Sequence, residues 1–186
     1  MRNGALIMRP RLKIIIAAVL VFLVSCGIYP ADARAAFAKE KYPGFKIRKA
    51  SKFIYSISGK DEKSFMFFSD GFSSREGYNG KIVLAIVLNE KKDAIRKIFI
   101  FSHNETPAYM KIVLESGYLE RFEGKKVSSA VLKVESVSGA TRNKVKIQAP
   151  ADTVTGATYT SSCIRDILLD LDAFLKENKA VKKKSR

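Results

Sequence analysis

Near the C-terminal end, five hydroxyl side chains crowd around one glycine. Thr155, Thr158, Thr160, Ser161 and Ser162 surround Gly156, and Asp152 stands just ahead of them. Hydroxyls in this density can accept a phosphoryl group or hydrogen-bond an anion. Directly afterwards Ile164, Ile167, Leu168, Leu171 and Leu175 recur on one helical face. The stretch therefore reads as a hydroxyl-rich glycine turn that opens a helix of about residues 161–179. A helix start presents N–H groups without intrahelical acceptors and the positive end of the helix dipole, which suits a phosphate. The plainer reading is that Thr160 or Ser161 caps the helix.

The elements that must hold this turn lie upstream. Residues 53–58 and 64–69 are short β-rich runs, and Gly59-Lys60-Asp61 suits a hairpin turn between them. After the turn Gly77-Tyr78-Asn79-Gly80, residues 81–88 form an unbroken apolar run, the pattern of a central strand buried on both faces. A polar turn over 89–93 leads to a return strand at 95–101. Residues 109–122 read as two short helices broken at Gly117. Segments 131–134 and 145–147 are short strand candidates. The fold class is α+β, a mostly antiparallel sheet with packed helices.

Asp152-x-x-Thr155-Gly156-Ala157-Thr158 resembles the flavinylation motif of the FMN-binding domain family, which includes the FMN-carrying subunits of Rnf-type complexes and of the sodium-pumping NADH:quinone reductase. Two upstream segments extend the resemblance. Gly77-Tyr78-Asn79-Gly80 is similar to a G-Y-x-G segment, and Glu105-Thr106-Pro107 to an E-T-P-G loop that lies beside the flavin ring in the family. Phe122-Glu123-Gly124-Lys125 matches a further F-x-G-K element. The resemblance implies FMN bound covalently as a phosphoester on the Thr158 oxygen, attached by a dedicated flavin transferase with FAD as donor. It implies Asp152 as the motif acid, Thr155, Gly156 and Ala157 as the turn, and Glu105, Thr106 and Pro107 beside the ring. It also implies electron transfer, with membrane electron-transport subunits or other redox proteins as partners. Ala108 stands where the family usually has Gly, and Tyr109 where a small aliphatic residue is common. A positive φ at 108 would strain Ala by about 1 kcal/mol.

The N-terminus carries Arg2, Arg9, Arg11 and Lys13 without an acid, followed by an apolar run over 14–24. This is the layout of an export signal. Leu23-Val24-Ser25-Cys26 resembles a lipobox with Cys26 as the lipidation site, and Ala31-Asp32-Ala33 offers a competing cleavage signal. Lipoprotein, uncleaved anchor and free secretion remain open, and all three place the domain outside the cytoplasm. The chain divides into a signal or anchor segment (1–26), a linker (27–50) with a short helix over 31–41, the FMN-binding domain (51–179) and a basic tail (180–186).

The net charge of +16 points to an anionic partner or surface. An anionic membrane surface fits the tail. Nucleic acid is not expected, because no zinc-finger or RNP-like aromatic motif is present and the leader exports the chain. Two cysteines cannot build a disulfide framework, and one histidine argues against a zinc site, so no metal is expected. Cys163, on the apolar side of the last helix, reads as a small core residue. His103, at a strand end, reads as structural ahead of any proton-coupled role.

Glu135 to Thr141 nearly repeats the main motif, as Ser138-Gly139-Ala140-Thr141. Its sequel, Arg142-Asn143-Lys144, is basic and strand-like, so the helix-start argument does not extend to Thr141. The expected function is that of an exported, membrane-associated flavoprotein carrying covalent FMN. A stand-alone extracytoplasmic flavin reductase and a non-redox lipoprotein binding module are the alternatives.

Overall fold

The structure is a computed structural model that describes residues 31–130 and 153–184. The leader with Cys26, the two strand candidates beyond 130, the near-copy with Thr141, and Asp152 lie outside the described residues.

Five antiparallel strands form one sheet in sequence order: β1 Lys46–Ser51, β2 Ile54–Ser58, β3 Lys63–Phe68, β4 Ile82–Asn89 and β5 Ile95–His103. Helix α1 covers Ala31–Lys41, α2 Pro107–Glu115, α3 Val127–Ala130 and α4 Thr158–Lys184. The α+β class expected from the sequence is observed. The β2–β3 hairpin closes with Gly59 N–H on Glu62 O at 2.8 Å, as the Gly-Lys-Asp turn implied.

Strand β4 explains why the sheet needs helices on both sides. All of its residues from Ile82 to Leu88 are buried. Ile82, Leu84, Ile86 and Leu88 pack with Met110, Val113, Ile164, Ile167, Leu168 and Leu171 of α2 and α4. Ala85 and Val87 point the other way, into a smaller cluster with Ala38 of α1, Tyr55, Ile57, Met66 and Phe68. The alternation follows from the period-2 geometry of a strand. An aromatic group of Phe37, Phe68, Phe99 and Phe101 seals the α1 side edge-to-face. There Arg34 is buried, paired with Asp70 and stacked on Phe53.

Three boundaries differ from the sequence reading. The helix over 31–41 is present, but residues 46–50, read as linker, belong to β1, so the packed unit starts before Ser51. Lys46, Arg48 and Lys49 hide the strand pattern because β1 is an exposed edge, where charge is tolerated and blunts edge-to-edge pairing. The last helix begins three residues earlier than position 161, at Thr158, and runs through 180–184, which were read as tail. Lysine is a good helix former, and cations suit the C-terminal end of the dipole. Between α2 and the 3-10 turn Glu120–Phe122, Gly117 adopts φ +64°, so the break expected there is real.

Candidate functional site

The turn that opens α4 is built from the identities of three consecutive residues. Ala157 N–H bonds Val154 O at 3.0 Å, and Gly156 at the third position has φ +83°. A turn with positive φ at that position selects glycine. Ala157 is buried against Val154 in the main core, whereas Thr158 is exposed. The Gly-Ala-Thr order thus supplies a reversal, a small anchor and a solvent-facing hydroxyl.

Ser161 locks this turn to the helix. Its Oγ accepts the Val154 N–H at 3.0 Å and donates to Ala157 O at 2.8 Å. It is fully buried, and Tyr118 Oη donates to its carbonyl at 3.0 Å. Ser161 is therefore a brace in the fourth helical position, not the cap considered from sequence. The first ladder bond of the helix is Ser161 N–H to Ala157 O, so the N–H groups of Thr158, Tyr159 and Thr160 precede the ladder and have no intrahelical acceptor.

The second part of the site joins the start of β4 to the end of β5. Gly77 N–H bonds Gly80 O, and Asn104 N–H bonds Lys81 O. Asn79 Nδ2 donates to Asn104 O at 3.1 Å, and Asn79 N–H donates to Glu105 Oε1 at 3.3 Å. Glu105 is only 4% exposed. Its carboxylate occupies the space a side chain at 77 would need: a Cβ there would lie 1.8 Å from Oε1. Gly77 and Glu105, far apart in sequence, are thus one packing unit. Thr106 then precedes α2, and Pro107 sits in its first turn, where a missing N–H costs nothing. Lys92 is the only non-glycine residue with positive φ among the described residues, so Ala108 is unstrained in α2.

The two parts meet at a cleft of about 330 Å³ lined by Tyr78, Tyr109, Gly156, Ala157, Thr158, Tyr159 and Thr160. Ile112 of α2 approaches Gly156: a Cβ on that glycine would lie 3.7 Å from Ile112 Cδ1. Of the residues expected at the site, Gly156, Ala157 and Thr158 line the cleft, and Thr155 is exposed in the turn beside it. Glu105, Thr106 and Pro107 do not line it; they hold the loop between two residues that do, Tyr78 and Tyr109. Thr160 belongs to the hydroxyl cluster legible in the sequence, whereas nothing in the sequence marks Tyr78, Tyr109 and Tyr159 as one wall. Their proximity to the two motifs was the available signal.

Among the described residues the cleft wall carries no charged side chain, so within them an anion near Thr158 would rely on the helix N–H groups and dipole. Two buried polar atoms at the site, Glu105 Oε2 and Thr160 Oγ1, have no hydrogen-bond partner among the described residues. Such atoms are costly unless a ligand or solvent completes them. Cys163, one turn beyond Thr160, is buried, and its thiol is pushed up to about 12 by burial and by the nearby Asp166 and Glu105 carboxylates. It is a core residue rather than a nucleophile. A larger recess of about 650 Å³, lined in part by Tyr42, Glu62, Arg96, Lys97 and by Glu123 and Gly124 of the F-x-G-K element, shares no lining residue with the cleft. Its charges neutralise each other as Glu62–Arg96 and Lys97–Glu123 pairs, so it offers no net attraction to a charged ligand.

Fold and cleft define a small α+β domain that presents a hydroxyl at a helix start beside an aromatic wall. A family model described as the FMN-binding domain matches residues 77–171, about half the chain, and the chain belongs to that family. It is a flavin-binding protein with FMN as its cofactor. No curated protein matches the chain.

Proposed function

We propose that this protein is an exported, membrane-held electron carrier that holds FMN as a phosphoester on Thr158. The observation that carries the reading is the position of Thr158: it is exposed, first in α4, and flanked by N–H groups that lack intrahelical acceptors. An exposed hydroxyl is within reach of a flavin transferase. In the attachment step the Thr158 oxygen bonds to the FMN phosphorus of FAD, the pyrophosphate bond breaks, AMP departs, and the hydroxyl proton passes to a base of the transferase. The Thr158, Tyr159 and Thr160 amides and the helix dipole then stabilise the ester's charge. Bound FMN supplies one- and two-electron redox chemistry, while the protein binds and orients it. The tether keeps the cofactor with the protein outside the cytoplasm, where a dissociated flavin is lost.

The membrane part of the proposal rests on the basic, apolar leader and Cys26. No helix among the described residues is long and apolar enough to cross a membrane. Redox subunits in the membrane, or soluble redox proteins, are the partners proposed for the carrier.

The test is co-expression with a flavin transferase, followed by denaturing gels viewed for flavin fluorescence and by peptide mapping. Wild type and Thr141→Val should fluoresce, Thr158→Ser weakly, and Thr158→Val not at all. Fluorescence that survives in Thr158→Val and vanishes in Thr141→Val moves the attachment to the near-copy. Fractionation of wild type and Cys26→Ala tests the anchor: a full-length, membrane-bound Cys26→Ala protein rejects lipidation, and a cytoplasmic wild type rejects export.

A further inference from the structure

Three tyrosines from three separate segments converge beside Thr158. Tyr78 comes from the turn before β4, Tyr109 from the first turn of α2, and Tyr159 from the second position of α4. The Tyr78 and Tyr109 rings meet edge-on, with centroids 5.6 Å apart and planes at 90°. Tyr78 and Tyr159 are 6.1 Å apart at 51°. Tyr78 and Tyr159 are 64% and 72% exposed. The other large apolar residues exposed among the described residues are Ile112 and Leu114, and Ile112 borders the same cleft at Gly156. Exposed apolar surface gathered at one site, rather than scattered, marks a binding surface.

Resting on Thr158 as the attachment point, we propose that Tyr78, Tyr109 and Tyr159 form the bed on which the flavin's isoalloxazine ring lies. Rings at 90° and 51° make a notch in which a flat π system can stack on one ring and receive the electropositive edge of another, the two arrangements aromatic pairs prefer. The wall formed by the described residues is uncharged, which suits an aromatic ring better than a charged protein surface. Thr160 Oγ1, buried in that wall without a partner among the described residues, provides a polar point for the ring's polar edge.

The experiment uses the full chain flavinylated by co-expression with the transferase, with attached flavin quantified after denaturation. Tyrosines packed on a flavin quench its emission. Intact wild type should be several-fold dimmer per attached flavin than its own proteolytic digest. Tyr78→Leu and Tyr109→Leu should each recover part of the emission, and the double variant most of it, with a matching change in visible circular dichroism. In wild type, NMR should show nuclear Overhauser contacts between the flavin ring methyls and tyrosine ring protons, a readout independent of any variant's folding. The bed is overturned if intact wild type is as bright as its digest, if the folded double variant stays as dim, or if the Overhauser contacts are absent. Wild type that carries no flavin after co-expression overturns the Thr158 reading and the bed with it. Flavin attached but indifferent to the tyrosines overturns the bed alone.

Discussion

Replacing Gly77 by alanine tests the joint between the two halves of the site. Gly77 does not have positive φ, so alanine's backbone preference is not violated and the unfolded chain loses entropy. That alone would stabilise the protein by about 0.4–1 kcal/mol. Against it stands a Cβ placed 1.8 Å from Glu105 Oε1, 2.9 Å from its Cδ and 3.0 Å from Ile82 Cδ1. A flexible surface side chain would swing aside. Glu105 is buried, accepts the Asn79 N–H, and is followed by Pro107 in α2, so it cannot move freely. Overpacking costs about 1–3 kcal/mol, and losing a hydrogen bond to a charged acceptor about 1.5–3. Net destabilisation of about 2–4 kcal/mol is expected, a fall in Tm of about 10 °C for a domain of this size. Thermal and urea unfolding of Gly77→Ala, Glu105→Ala and the double variant measure it. Because the two residues touch, the double variant should recover about 1–2 kcal/mol relative to the sum of the singles. A Gly77→Ala protein as stable as wild type, or a double variant that is strictly additive, would refute the coupling.

Ser161→Ala removes the hydroxyl that bridges Val154 N–H and Ala157 O, and should cost about 1–3 kcal/mol in urea unfolding because a buried N–H is orphaned. Asp170 joins α4 to the loop after β3 through Ser73 at 2.7 Å and both nitrogens of a two-point Arg75 contact at 3.1 Å. Burial pushes the Asp170 carboxyl up, but bonds from Arg75 and Ser73 and the guanidinium charge outweigh it and hold the carboxyl below its usual value. With a lowered folded-state value, its contribution is present above the unfolded carboxyl range near pH 4 and is lost as pH falls through the folded value. Asp170→Asn should thus cost about 1 kcal/mol at pH 7, a gap that narrows below about pH 4 in parallel denaturation series. Cys163, with its thiol near 12, should resist thiol reagents at pH 8 in the native state and react only as fast as the domain opens; rapid native-state labelling would contradict its burial.

Edge charge and helix propensity account for what the residue pattern left unread. Strand β1 carries Lys46, Arg48 and Lys49, so it lacks the apolar alternation by which β2, β3 and β4 were legible; only pairing with β2 makes it a strand. The apolar face of α4 begins at Ile164 and by itself points to a start near 161, yet Thr158, Tyr159 and Thr160 are drawn into the helix by the Ser161 brace and Tyr118. Local propensity for Thr and Tyr is weak, and tertiary contacts decide such cases.

For the site, residue order alone determined a hydroxyl-rich glycine turn ahead of a helix, because turn chemistry and helix periodicity are local properties; Thr158 was marked out by the motif's resemblance, and its exposure is decided by the tertiary structure. The sequence could not show that Gly77 exists to admit the Glu105 carboxylate, nor that Tyr78, Tyr109 and Tyr159 share one cleft. Those are contacts between segments distant along the chain, and only the sheet register and the packing of α2 and α4 bring them within reach.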